Sequence, residues 1–156
     1  MTFTLKNLVI LSLGAAATCG GYPSPPVAPA PATPEATVEQ FMAAVNAADL
    51  GRMAELWGTE NGPSTVTGRN SPQTRQRQLT IMQRILQSDE HHIVGTDSAG
   101  ALPNQRIVNV ELVKGSRRAT VPFTMVAARV GGWLILAIAL EAALPPAPPP
   151  AQRPGP

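Results

Sequence analysis

Proline confines the folded part of this chain to a central segment. Most of its 17 prolines lie in two stretches, residues 20–34 and 145–156, where the other residues are mainly small. Proline fixes φ and removes a backbone donor, so these stretches favour extended polyproline II over helix or sheet. Between them lie about 110 residues, which is a usual size for a single core. We therefore expect one folded domain over residues 35–143 and a disordered tail over residues 144–156.

The first residues have the organisation of an export signal. Lys6 precedes an apolar run over residues 8–17, which at about ten residues is too short to span a membrane. Small residues then precede Cys19, the single cysteine of the chain. A positive charge, an apolar run and small residues at the cleavage site are the parts of a secretory signal peptide. We expect residues 1–18 to be that signal peptide.

The segment 16–19 resembles the lipobox of bacterial lipoproteins. The resemblance implies that the mature chain begins at Cys19, that Cys19 carries lipid, and that the exported protein is anchored to a membrane of the cell envelope, on its periplasmic or extracellular face. Residues 19–34 then form a linker between membrane and domain. The alternative is an ordinary secretory signal cleaved near Ala17, which leaves Cys19 as a free thiol.

The charge of the chain argues against nucleic acid as a partner. It carries 12 Lys and Arg against 10 Asp and Glu, and one of the basic residues, Lys6, belongs to the predicted signal peptide. The remaining arginines are spread thinly, with Arg75, Arg77 and Arg84 in one segment and another pair at residues 117–118. A nucleic-acid footprint needs a denser basic patch. The mature chain is therefore expected to be nearly neutral and not to bind nucleic acid.

The first half of the domain predicts helices. Thr33, Asp49 and Ser71 are suitable capping residues, and the first and last of them are followed by proline, which fits the first helical position. Residues 59–70 are expected to form a polar loop. Apolar residues recur at helical spacing after each cap: Val38, Phe41, Met42 and Val45; Leu50, Met53, Leu56 and Trp57; Leu79, Met82 and Leu86.

The second half predicts a meander of four strands. The segments 91–97, 106–113 and 133–140, and the alternating residues from Ala119 to Met125, have strand character. Turns at residues 114–116 and at Gly131-Gly132 make tight hairpins. Pro122 cannot donate a ladder hydrogen bond and predicts a bulge or an edge. In the last strand, we expect one face to point inward (Leu134, Leu136 and Ile138) and the other outward (Trp133 and Ile135).

The segments 36–49 and 131–135 resemble the opening helix and the last hairpin of the nuclear transport factor 2-like superfamily, which is also called ketosteroid isomerase-like or cystatin-like. The resemblance implies an α+β fold in which N-terminal helices pack on a curved four-stranded antiparallel sheet, forming a cone. Enzymes of that superfamily carry a carboxylate or histidine base inside the cone, and often a tyrosine. The only tyrosine here, Tyr22, lies in the linker. The predicted inward strand faces carry no ionisable residue: they consist of Val108, Val110, Leu112, Val121, Phe123, Leu134, Leu136 and Ile138.

These features favour a non-catalytic binding or interaction module at the cell envelope, without cofactor or metal. Phe41, Trp57, His91 and His92 are the candidates for lining a pocket, which would suit a small apolar ligand. The alternatives are an isomerase-like or dehydratase-like enzyme with His91 or His92 as base, and a structural envelope subunit. Adjacent strand residues point to opposite faces, so the two histidines are not expected to share a metal.

Trp133 and Ile135 are the candidates for an interface. Apolar side chains on the outer face of a sheet usually mark a contact surface. Together they predict a homodimer, or a complex with another envelope protein, through the outer face of the sheet. The superfamily resemblance implies the same kind of contact.

Overall fold

The computed structural model describes residues 29–98 and 102–145. The predicted signal peptide, Cys19 as the predicted lipidation site, and the tail from residue 146 onward lie outside the described residues. The fold is α+β, with helices packed against an open four-stranded antiparallel sheet, as the sequence predicts at this level. The helices are α1 (Pro34–Asn46), α2 (Leu50–Leu56), α3 (Ser64–Thr67) and α4 (Pro72–Leu86), and a 3₁₀ turn spans Leu140–Ala143. The strands are β1 (Gly58–Thr59), β2 (Gly62–Pro63), β3 (Glu90–Asp97), β4 (Gln105–Lys114), β5 (Arg117–Ala127) and β6 (Trp133–Ile138).

The three predicted helix caps are confirmed. The Thr33 hydroxyl accepts from the backbone N–H of Ala36 at 3.1 Å at the start of α1. At α2, Asp49 accepts from the N–H of Arg52 at 2.9 Å. Ser71 opens α4 in the same way, accepting from the N–H three residues on at 3.2 Å. Each cap satisfies a donor that has no partner within its helix, so the local sequence alone determines where these helices begin.

The segment expected to be a polar loop has more structure than predicted. The strands β1 and β2 pair as a two-stranded antiparallel hairpin, and the short helix α3 follows directly. The Ser64 hydroxyl donates to the carbonyl of Ala54 at 3.0 Å, which ties α3 to α2. Two-residue strands and a four-residue helix are too short to give a periodic signal, so a pattern of apolar residues does not reveal them.

The main core lies between the helices and one face of the sheet, where α1 contacts β3, β4 and β6. Phe41 and Phe123 meet there edge to face, with ring centroids 6.2 Å apart and ring planes at 76°. The predicted inward residues of β4 and β5 are buried here. Fully buried members of this core include Val38, Phe41, Met42, Val45, Met53, Leu56, Leu86, Val108, Val110, Val121, Phe123, Met125 and Ile135.

The face assignment predicted for the last strand is wrong over the first half of β6. Thr124 of β5 pairs with Ala137, but its neighbour Met125 pairs with Ile135, so Leu136 is an extra residue in the ladder. Such a bulge shifts the alternation by one residue and exchanges the two faces beyond it. Ile135 is therefore fully buried in the main core, and Trp133 packs against the same core.

The outer side of β6 is covered by the end of the predicted linker. Trp133 donates its backbone N–H to the carbonyl of Pro31 at 2.8 Å. Ala30 packs beside Leu134, which is fully buried in a second small apolar cluster. The predicted outer surface of Trp133 and Ile135 is therefore absent, because both side chains contact the core and the chain itself covers the opposite face.

Candidate ligand-binding cleft

A cleft of about 380 Å³ lies beside the edge of β6, on the side where the β1–β2 hairpin contacts that strand. Its volume falls within the range of typical small-molecule sites. The chain contributes to it from four places: the end of α2 with β1, the segment from Asn61 to Asn70, the first half of α4, and β6. Its lining residues are Trp57, Gly58, Thr59, Asn61, Ser64, Thr67, Gly68, Arg69, Asn70, Arg75, Gln78 and Leu136.

The apolar wall of the cleft is formed by Trp57 and Leu136. Trp57 follows α2 directly and adopts an extended conformation, with φ −102° and ψ 126°. In that conformation it forms a parallel bridge with Ile135 of β6. Leu136, the bulge residue, is half-buried and lies next in sequence to that bridge. The bulge therefore determines both which residue of β6 enters the core and which one lines the cleft.

The polar wall carries guanidinium, amide and hydroxyl groups. Arg75 reaches from α4 to α3, where its Nη1 donates to the carbonyl of Ser64 at 2.9 Å. Asn70 donates to the side chain of Gln78 at 3.2 Å. The Thr67 hydroxyl donates to the carbonyl of Gly62 at 3.0 Å. The bonds of Arg75 and Asn70 link α4 to the segment 61–70, so Arg75, Asn70 and Gln78 are held in place before any ligand arrives.

The charge of the cleft is positive. Arg69 and Arg75 both line it, and none of the described residues that line it is Asp or Glu. Arg52, Arg118 and Arg129 each form an ion pair with a carboxylate elsewhere on the surface. Within residues 29–98 and 102–145, Arg69 and Arg75 take part in no such pair. Among the described residues, the charges of these two cleft arginines are therefore not compensated by an ion pair.

The two histidines lie away from the cleft. His91 faces the helices, and its Nε2 lies 2.9 Å from Oε2 of Glu39 on α1. Its side chain is 18% exposed, whereas that of His92 is 57% exposed and lies 3.5 Å from Glu90. Of the four residues predicted to line a pocket, only Trp57 lines this cleft, because Phe41 is enclosed in the core.

The interior beneath the sheet has no ionisable group among its buried, described residues. The one polar side chain buried there is Thr37, whose hydroxyl lies 3.0 Å from the carbonyl of Thr33 and 3.1 Å from that of Trp133. In the part of the chain that the structure describes, no group of three or more His, Cys, Asp or Glu residues is arranged to hold a metal ion. No helix among those same residues is long and apolar enough to cross a membrane.

The sequence pattern does not reveal the polar residues of the cleft. Arg75 belongs to a set of scattered arginines, and Arg69, Asn70 and Asn61 occur in a segment without a recognisable motif. The one available signal was the absence of acidic residues from position 61 to position 88.

Comparison of the chain with protein-family models, with curated proteins and with solved structures finds no match in any of the three. The resemblance to the nuclear transport factor 2-like superfamily therefore stays a prediction.

Proposed function

We propose that this chain is a non-catalytic, small-molecule-binding module of the cell envelope, with a nuclear transport factor 2-like domain held at the membrane by lipid on Cys19. The observation that carries the proposal is the cleft beside Trp57, which combines an apolar wall with convergent hydrogen-bonding groups. That combination is typical of ligand sites. The order of helices followed by an antiparallel meander supports the superfamily part of the proposal.

The enzymatic alternative has less support. A general base has to lie within hydrogen-bond reach of its substrate in a site that positions the substrate. His91 is engaged with Glu39 on the helix-facing side of β3, and His92 is on the other side of the same edge strand. Neither lines the cleft, and the described interior is apolar.

Binding at the cleft can be tested by NMR on the ¹⁵N-labelled full chain in a non-ionic detergent. The chain has two tryptophans, so it gives two indole N–H signals, which Trp57→Phe assigns. A set of small neutral, cationic and anionic compounds is added in turn. We expect at least one class to move the Trp57 signal and leave the Trp133 signal in place, because Trp133 lies outside the cleft. A Trp57 signal unmoved by every class would refute the binding function.

The anchor is tested separately. Intact-mass analysis of the protein recovered from membranes is expected to show a mature N-terminus at Cys19 with lipid attached. Stable anchoring needs more than one acyl chain, so the added mass should correspond to at least two. Cys19→Ser is expected to release the chain from the membrane fraction or to block its processing. An unmodified thiol, or another N-terminus, would exclude the anchor without affecting the test of the cleft.

A further inference from the structure

We infer that the ligand of this cleft is a small amphipathic anion, in which a carboxylate or phosphate group binds Arg69 and Arg75 and an apolar group packs on Trp57 and Leu136. The inference rests on the proposed binding function and adds to it the chemical class of the ligand. It follows from three features of the described residues: the charge of the cleft, the orientation of Arg75, and the separation of polar and apolar walls.

The charge of the cleft favours an anion. The carboxylates closest in sequence to its lining residues are engaged elsewhere: Glu55 pairs with Arg52 at 2.7 Å, and Glu60 pairs with Arg129 at 2.6 Å. A ligand without charge would leave the positive charges of Arg69 and Arg75 without a counter-ion in the cleft. A cationic ligand would meet like charge, which is unfavourable at short range.

The orientation of Arg75 favours an oxyanion in particular. Its side chain is half-buried, and one nitrogen of the guanidinium is fixed by the carbonyl of Ser64. A guanidinium has five donors in a planar fork, so a single bond leaves others to bind a second acceptor. Carboxylate and phosphate groups match that fork and form two parallel hydrogen bonds with it. Because Ser64 already orients the group, little side-chain entropy remains to be lost on binding.

The two walls favour an amphipathic molecule over a bare ion. Trp57 and Leu136 present apolar surface that inorganic phosphate or acetate would leave in contact with water. An aromatic ring or a short alkyl chain joined to the anion covers that surface and gains from its burial. Hydroxyl and amide groups along the polar wall, such as those of Thr59 and Asn61, remain available for further polar atoms of the ligand.

The test compares four probes on the ¹⁵N-labelled full chain in non-ionic detergent, with the Trp57 indole signal as readout. 3-Phenylpropionate and phenyl phosphate carry the two kinds of oxyanion, 3-phenylpropionamide is the neutral isostere, and acetate is an anion without the apolar group. Hydrogen bonds to charged groups are the stronger kind, so we expect one of the two aromatic anions to bind at least about tenfold more tightly than the amide. The better of the two identifies the carboxylate or the phosphate. Acetate is expected to bind weakest.

Substitutions identify the arginine that binds the anion. Arg75→Gln is expected to weaken the better anion by about tenfold or more and to change the affinity of the amide little. Arg77→Gln is the matched control, because Arg77 lies on the same helix, is exposed and does not line the cleft. Arg69→Gln is a second variant in an exposed segment, should Arg75→Gln disturb the packing of α3.

The outcomes separate this inference from the binding function on which it rests. Equal affinities for the anions and the amide would overturn the inference that the ligand is an anion. An equal loss of anion affinity in Arg75→Gln and Arg77→Gln would do the same. Either result would leave the binding function in place. The same holds if neutral or cationic compounds move the Trp57 signal and neither aromatic anion does. A signal that no compound moves would overturn both.

Discussion

Truncation of Ile135 tests the bulge in β6, on which the core and the cleft both depend. Ile135 is fully buried, so Ile135→Ala removes apolar groups worth about 0.8 kcal/mol each, or about 2.4 kcal/mol for three carbons. A cavity lined by its neighbours in the main core adds to this cost. We therefore expect the free energy of unfolding to fall by about 3–4 kcal/mol, within the range of about 2–5 kcal/mol for such changes.

Leu136→Ala is the matched control, since Leu136 is the bulge residue and is only half-buried. Urea unfolding of the full chain, followed by circular dichroism, measures both variants. With a slope of about 1–3 kcal/mol per molar urea, the midpoint should fall by about 1–4 M for Ile135→Ala and by much less for Leu136→Ala. In a regular strand with Leu136 facing the core, the order of the two effects would be reversed. A larger loss from Leu136→Ala would therefore refute the bulge and the register described for β6.

Three further predictions use the same unfolding measurement. Phe123→Ala should lower the free energy of unfolding by about 3–5 kcal/mol, because it leaves a cavity against Phe41. Thr124→Ala, on the opposite face, should lower it far less. Equal losses would contradict the register of β5. Gly131 and Gly132 both have positive φ, but a Cβ on Gly132 would lie 2.6 Å from the carbonyl oxygen of Ala30, whereas on Gly131 it would meet nothing within 4 Å. Gly132→Ala should therefore lower the free energy of unfolding by at least about 1 kcal/mol more than Gly131→Ala, and it should speed hydrogen exchange of the Trp133 amide. Equal effects of the two substitutions would mean that the segment at Ala30 is not packed against Gly132. The Thr96 hydroxyl donates to Glu35 and lowers the pKa of that carboxyl below its ordinary value of 4.5. The contact therefore stabilises the fold fully above about pH 4.5. Its contribution is lost as the pH falls through the lowered pKa of the folded state. Thr96→Val should accordingly destabilise the chain at about pH 7 and have a smaller effect in acid, and a loss that is constant with pH would exclude the ionised carboxylate as its cause.

Features that depend on neighbouring residues could be predicted from the sequence. The three caps need only a side-chain oxygen and a backbone N–H three residues later, so Thr33, Asp49 and Ser71 identify the helix starts by themselves. The inward faces of β4 and β5 follow from strict alternation. Pro122 also behaves as predicted: its carbonyl accepts from Ala139, directly beyond the end of β6, so its missing donor falls where the neighbouring strand stops.

The arrangement of β6 could not be predicted because its residues are apolar on both faces. Where inward and outward positions differ in polarity, a slip of one residue is costly and the pattern reveals the register. Between Trp133 and Ile138, either register places apolar side chains on both sides, so the pattern does not distinguish them. The choice depends on contacts distant in the chain, in particular the bridge from Ile135 to Trp57 and the bond from Trp133 to Pro31.

The cleft contains residues of both kinds: Trp57 belongs to a local pattern, and the polar residues depend on contacts distant in the chain. For that reason the sequence predicts Trp57 as a pocket residue and does not predict its polar partners. Trp57 belongs to a helical pattern and ends it, so it is conspicuous in the sequence. Arg75 can be recognised as a cleft residue only from the three-dimensional structure. Its bond to Ser64 fixes it beside the cleft, and no acidic side chain is among the described lining residues. That absence involves segments between residue 57 and residue 136, which the fold brings together beside the irregular strand β6. A candidate site of this kind is therefore a property of the fold, and its chemistry can be described only when the register of the last strand is known.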